Sequence, residues 1–176
     1  EMKIVDPKTG LDLPAGRIGP LVIRGKNVFR EYFDAPEATT QAFRFGDGWF
    51  DTGDDARVDE RGHFFFIGRG SVDTGKVDGE FVNFLAIDEM LWPHPKVQEV
   101  CCVPVPDPIR GAVVAACIVP KPGISFDSTE ITEYAKKKGL ARWEIPSYVL
   151  VVPEIPKGDT GKIQRKVMTE RAVAML

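Results

Sequence analysis

Residues 158–166 read Gly158-Asp159-Thr160-Gly161-Lys162-Ile163-Gln164-Arg165-Lys166. Two glycines around a short polar pair suit a tight turn with positive φ. Such a turn carries Lys162 at its tip, and an ammonium is a compact point charge with three donors, suited to an anion such as a phosphate. A surface hairpin with solvated lysines has the same local sequence, so this motif alone leaves both readings open. A second cluster, Gly48-Trp49-Phe50-Asp51-Thr52-Gly53-Asp54, sets an aspartate behind a glycine. One carboxylate can accept two hydrogen bonds, which fits the vicinal hydroxyls of a ribose. A capped turn between strands fits equally well. A third stretch, Ile67-Gly68-Arg69-Gly70-Ser71-Val72-Asp73-Thr74-Gly75, is small and polar enough to be either a hinge or a passive linker.

The elements that must position these residues change character near residue 69. Residues 1–68 read as β structure. Leu21 to Arg24 is a short strand opened by Gly19-Pro20, Gly46-Asp47-Gly48 is a turn, and residues 57–67 form a hairpin through Gly62. A helix is expected over Ala35 to Phe43, with Pro36 in its first turn. Beyond residue 69, helices and strands mix. Apolar residues at 84, 85, 87, 90 and 91 predict a helix from Phe84 to Trp92, ended by Pro93-His94-Pro95. Glu99 to Val105 and Ala112 to Val119 are β-rich runs joined by Pro106-Asp107-Pro108. Asp127 to Lys138 is the best-defined helix: Asp127 and Glu130 form a capping-box pattern, Lys136 to Lys138 suit the C-terminal dipole, and Gly139 suits the position after it. Ser147 to Val152 is a further strand, and a last helix starts at about Arg165.

Composition excludes several classes. With 176 residues, 43% hydrophobic and 28% charged, the chain has the make-up of an ordinary globular protein of one or two domains. A net charge of −3 without a long basic run argues against nucleic-acid binding. No apolar run has the length to span a bilayer. Glu1 to Asp6 has neither a signal peptide's apolar core nor a transit peptide's bias, and reads like mid-strand, as if the chain were part of something longer. Cys101, Cys102 and Cys117 lie in apolar runs without metal or redox spacing, as small reduced core residues of a cytoplasmic protein. His63 and His94, beside a glycine and between two prolines, read as turn residues, and no metal site is expected.

Taken in order, several motifs occur together: Gly19-Pro20-Leu21-Val22-Ile23-Arg24-Gly25, Pro36 to Phe43, Gly48 to Asp54, Gly68-Arg69, His94-Pro95, Val105-Pro106-Asp107 and Thr160-Gly161-Lys162. Their joint order resembles the adenylate-forming, AMP-dependent synthetase and ligase superfamily, most like an acyl-CoA synthetase, across essentially the whole chain. The resemblance implies an α+β fold. Residues 1–68 would be the last subdomain of a large N-terminal core, the end of a distorted β-barrel. Residues 69–176 would be the small C-terminal domain, a sheet flanked by helices. It also implies that a small carboxylic acid is activated by ATP, with Mg2+, to an acyl-adenylate and transferred to coenzyme A, the small domain rotating between the two steps.

By the same resemblance, Lys162 matches the adenylation lysine, Asp54 the ribose-binding aspartate and Arg69 an arginine that also contacts ribose. The hinge position falls on Ser71. Here the chain departs from the pattern, because the spacing from Arg69 to Gly79 is one residue longer, as if Val72 were extra. Asp73 then becomes the hinge carboxylate displaced by one. Gly75 stands where an apolar strand residue is common, and Phe81 where many relatives carry Asn or Arg. Lys76, Gly79 and Glu80 match a loop that lines the channel for the pantetheine arm of coenzyme A. The family's Ser/Thr/Gly-rich phosphate loop and its Tyr-Gly-x-Thr-Glu segment are not in these residues. The expectation is therefore a C-terminal piece of a ligase, inactive by itself and partnered by the missing N-terminal core of the same protein. A peptide-synthetase adenylation domain and a non-catalytic module on the same fold are the alternatives.

Overall fold

In the computed structural model, which describes residues 1–70, 72–125 and 127–176, the chain divides into two units, Glu1–Ser71 and Val72–Leu176. The class is α+β, as expected.

The first unit is a four-stranded antiparallel sheet in chain order: β1 (Met2–Ile4), β2 (Ile18–Ile23), β3 (Phe50–Val58) and β4 (Phe64–Gly68). Bulges between Pro20 and Val22, and between Asp55 and Ala56, break the register and bend the strands. Val5, Val22 and Trp49 form its small core. The β3–β4 turn is held by Asp59, whose carboxylate accepts from the Arg61 and His63 amides; His63 is thus a turn residue. Helix α1 (Pro36–Ala42) has proline in its first turn and no buried residue.

The second unit opens with a two-stranded hairpin, β5 (Thr74–Val77) and β6 (Glu80–Asn83), which the sequence reading missed. Asp78 and Gly79 at its turn both have positive φ, 53° and 82°, the pairing that a two-residue hairpin of right-handed twist requires. Then come α2 (Phe84–Leu91), the long hairpin β7 (Val97–Asp107) and β8 (Gly111–Pro120), α3 (Ser128–Lys137), β9 (Tyr148–Val151) and α4 (Arg165–Ala174). Strand β9 pairs parallel to β8, with α3 as the crossover.

Both faces of this three-stranded sheet are covered, which explains its unbroken apolar runs. One face sends Val100, Cys102, Val114, Ala116 and Ile118 towards residues of α2 and α3. The other sends Cys101, Val103, Val113, Ala115 and Cys117 towards Ile155 and Met168 and Ala172 of α4. All three cysteines are buried thiols.

The capping box of α3 forms only in part. Asp127 caps the helix by accepting from the Thr129 amide at 2.9 Å, but Glu130 turns away to an ion pair with Lys96 at 2.8 Å. A cross-element cation outcompetes the backbone amide for the carboxylate. The other end is as expected: Gly139, at φ 83°, lets the Leu140 amide reach Ala135 O and its own amide reach Lys136 O.

Candidate functional site

Lys162 sits at the end of a braced loop. Lys157 and Ile163 form an antiparallel bridge. Within the bridge the Gly158 amide donates to Lys162 O at 2.9 Å, and the Gly161 amide donates to Gly158 O at 2.8 Å. Gly161 has the expected positive φ of 76°, whereas Gly158 does not. A Cβ at Gly158 would lie 3.3 Å from Gln164 Nε2, the end of an exposed side chain. The Lys162 side chain is exposed, and among the described residues its ammonium has no carboxylate partner. The loop's entry, Ile155-Pro156, is buried, and its exit is the buried Arg165.

Arg165 is 3% exposed, and reading the sequence as a run of basic loop residues missed it. Its Nε donates to Asp73 Oδ1 at 2.8 Å, Nη2 to Asp88 Oδ2 at 2.9 Å and Nη1 to Cys102 O at 2.6 Å. The Cys102 amide in turn donates to Asp88 Oδ1. Burial pushes the Asp88 carboxyl up to about 6, against the opposing pull of Arg165 and the Cys102 amide. Removing one member of such a buried pair typically costs about 3–5 kcal/mol. The signal available in the sequence was its spacing, three residues before Met168 and seven before Ala172, which puts Arg165 on the buried face of α4, where a cation needs partners remote in sequence.

The β5–β6 hairpin carries Lys76, Gly79 and Glu80 on exposed positions. Lys76 stands opposite Phe81, which is half exposed. The hairpin tip is tied by Arg142, whose Nη2 donates to Asp78 Oδ2 at 3.0 Å. Gly75 is explained by its neighbour: a Cβ there would meet the Phe84 ring at 3.1 Å, so Phe84 occupies the room that an apolar side chain would take. Asp73 lies within this second unit, on Arg165. Ser71 lies outside the described residues.

In the first unit, Asp54 on β3 and Arg69 just after β4 come together, with Arg69 Nε 3.4 Å from Asp54 Oδ1. The preceding residues are pinned: Thr52 Oγ1 donates to Leu21 O at 2.8 Å, and Asp51 pairs with Arg44 at 2.8 Å. Asp55, which the sequence reading passed over, is the third carboxylate of this group. Partial burial raises its pKa, and the charges of Asp51 and Asp54 add to the effect. It packs against the backbone at Gly70, where a Cβ would fall 2.1 Å from Asp55 Oδ2. That position therefore admits only glycine without a shift.

Residues 86–162 match the AMP-binding enzyme C-terminal domain family. The chain is 39% identical over 150 residues to the mitochondrial malonate–CoA ligase of Homo sapiens, covering 85% of this chain and 26% of that protein. A crotonobetaine/carnitine–CoA ligase of Escherichia coli is 34% identical over 157 residues, 88% of this chain and 30% of that protein. Among solved structures, ATP-bound MatB from Rhodopseudomonas palustris superposes with a TM-score of 0.86 at 32% identity, covering 99% of this chain and 34% of that one. The chain belongs to the adenylate-forming superfamily. An anthranilate CoA ligase in complex with anthranoyl-AMP, another adenylate-forming enzyme, matches with the same TM-score of 0.86 and 32% identity over 100% of this chain and 34% of that one. The chain thus spans about a quarter to a third of the length of the relatives it matches.

Proposed function

We propose that this chain is the C-terminal part of a carboxylate–CoA ligase. In that reaction a carboxylate oxygen attacks the α-phosphorus of ATP, and pyrophosphate leaves. A thiol sulfur then attacks the acyl carbon, and AMP leaves. The observation that carries the reading is Lys162: an exposed ammonium without a carboxylate partner among the described residues, on a loop braced at both feet. A charge so held can stabilise the negative charge that develops at the reacting carboxylate and phosphate, with no reorganisation at the moment of reaction.

The other assignments are those that the resemblance of the motifs implies. Asp54 would accept from the ribose hydroxyls, and Arg69, 3.4 Å away, would orient that carboxylate and donate to the same sugar. Residues 1–68 would close the N-terminal core, and 69–176 would form the mobile small domain, with Ser71 and Asp73 at the turning segment. Lys76, Gly79 and Glu80, at exposed positions around the tip of the β5–β6 hairpin, would line the path of the pantetheine arm of coenzyme A. Magnesium is assigned no residue of this chain. Among the described residues no group of three His, Cys, Asp or Glu side chains is placed to hold a metal ion.

The test is the full-length protein that carries these residues. Lys162→Ala should abolish ATP–pyrophosphate exchange driven by its carboxylic acid, while thioester formation from supplied acyl-adenylate is largely retained. Equal loss of both half-reactions would count against the role of Lys162. Exchange activity from residues 1–176 alone would overturn the view that the chain needs its N-terminal core.

A further inference from the structure

Lys162 accounts for the loop, but not for the buried arginine that follows it. Stability is a poor explanation of Arg165, because replacing a buried ion pair by well-packed apolar residues is often neutral or favourable. A guanidinium offers something an apolar side chain does not: a rigid planar fork that fixes direction as well as distance. Here each prong holds a different segment. Nε holds Asp73, in the stretch that enters the second unit just past residue 71. Nη2 holds Asp88 on α2, and Nη1 holds the Cys102 carbonyl on β7. Arg165 itself begins α4 and ends the loop that carries Lys162. The Gln164 amide, one residue earlier, closes the loop's base on Pro156 O at 2.8 Å.

We infer that Arg165 is a positioning residue for Lys162, and that the Asp73–Arg165–Asp88 network locks the lysine loop to the entry segment of the second unit as one rigid body. The inference rests on reading Lys162 as the adenylation lysine. An ammonium must arrive within a fraction of an ångström of its target, since a displacement of about 1 Å can cost on the order of 100-fold in rate. Loop 157–164 leaves the buried Ile155-Pro156 at one foot, where Lys157 pairs with Glu99 on β7 at 2.6 Å. Its other foot, Arg165, is held by three hydrogen bonds to segments remote in the chain. Any reorientation of the second unit that begins at its entry segment is passed to Lys162 through Asp73 and Arg165 without slack.

The experiment uses the full-length protein with Arg165→Lys, which keeps the charge but loses the fork, and with Asp73→Asn, nearly isosteric at the more exposed end of the network. In both variants, kcat for ATP–pyrophosphate exchange should fall by about tenfold or more. KM for ATP should move much less, and thioester formation from supplied acyl-adenylate should fall less than adenylation. The amides of Gly158, Gly161 and Gln164 should exchange hydrogen faster, while the β7–β8 ladder keeps its protection. Equal loss of both half-reactions together with the melting temperature would leave Arg165 a purely structural residue and overturn the inference. If Arg165→Lys does not fold, Asp73→Asn decides alone: unchanged adenylation and unchanged loop exchange overturn the inference. Should the wild-type protein make no acyl-adenylate from any carboxylic acid, the functional reading fails, and loop exchange still decides whether Arg165 positions Lys162.

Discussion

Asp73 and Arg165 are 92 residues apart in the chain, and their side chains meet at 2.8 Å. The apparent extra residue at Val72 sits immediately before this carboxylate. Asp73 lies inside the second unit, and there its carboxylate accepts from the buried cation. The same cation holds Asp88, so three charged side chains share one largely dehydrated site.

That site should leave a pH signature. The Asp88 carboxyl is pushed by burial from its ordinary 3.8 up to about 6. Between those values the folded state holds a proton that the unfolded chain has released. This contribution to stability is fully present below pH 3.8 and is lost as pH rises through about 6. Asp59, Asp107 and Asp127 run the other way, because amide hydrogen bonds lower their pKa values and acid removes their contribution. Asp88→Asn isolates the first effect. Its stability relative to the wild type, from urea melts, should rise between pH 4 and 6 and level off above. Parallel curves would show that Asp88 titrates normally.

Gly70→Ala tests the packing beside Arg69. The added Cβ would fall 2.1 Å from Asp55 Oδ2, so the strand or the carboxylate must move. Overpacking of this kind typically costs about 1–3 kcal/mol. A lower melting temperature is expected, with much of the loss recovered when Asp55→Ala is added, because the pair share one contact. Additive losses would mean that the clash is relieved elsewhere.

The three cysteines should be silent towards alkylation. Burial pushes Cys101 and Cys117 up to about 12, and Cys102 well above its ordinary value. A thiol of pKa about 12 is ionised to roughly one part in ten thousand at pH 8. Iodoacetamide followed by peptide mass mapping should leave all three unlabelled until denaturant is added. Labelling of any one in the native state would reveal opening of the β7–β8 sheet.

Local sequence determined a good deal of this protein. The helix at Phe84 starts where apolar spacing puts it, the helix at Ser128 starts at its Asp127 cap, and Gly139 ends α3 through its positive φ. These outcomes depend on neighbours within a turn or two, so the residues alone suffice. The order of the motifs likewise sufficed to indicate the superfamily. The β5–β6 hairpin was overlooked, although Asp78-Gly79 signals it, because its strands are short and Gly75 interrupts their pattern. The interrupting glycine makes sense only once the Phe84 ring lies against it. What only the tertiary structure decided is the fate of charges whose partners are remote. Glu130 left its capping box for Lys96, Gly70 was required by Asp55, and Arg165 became buried because Asp73, Asp88 and the Cys102 carbonyl converge on it. A buried cation is tolerable only when several acceptors meet it at once, and no local pattern records that convergence.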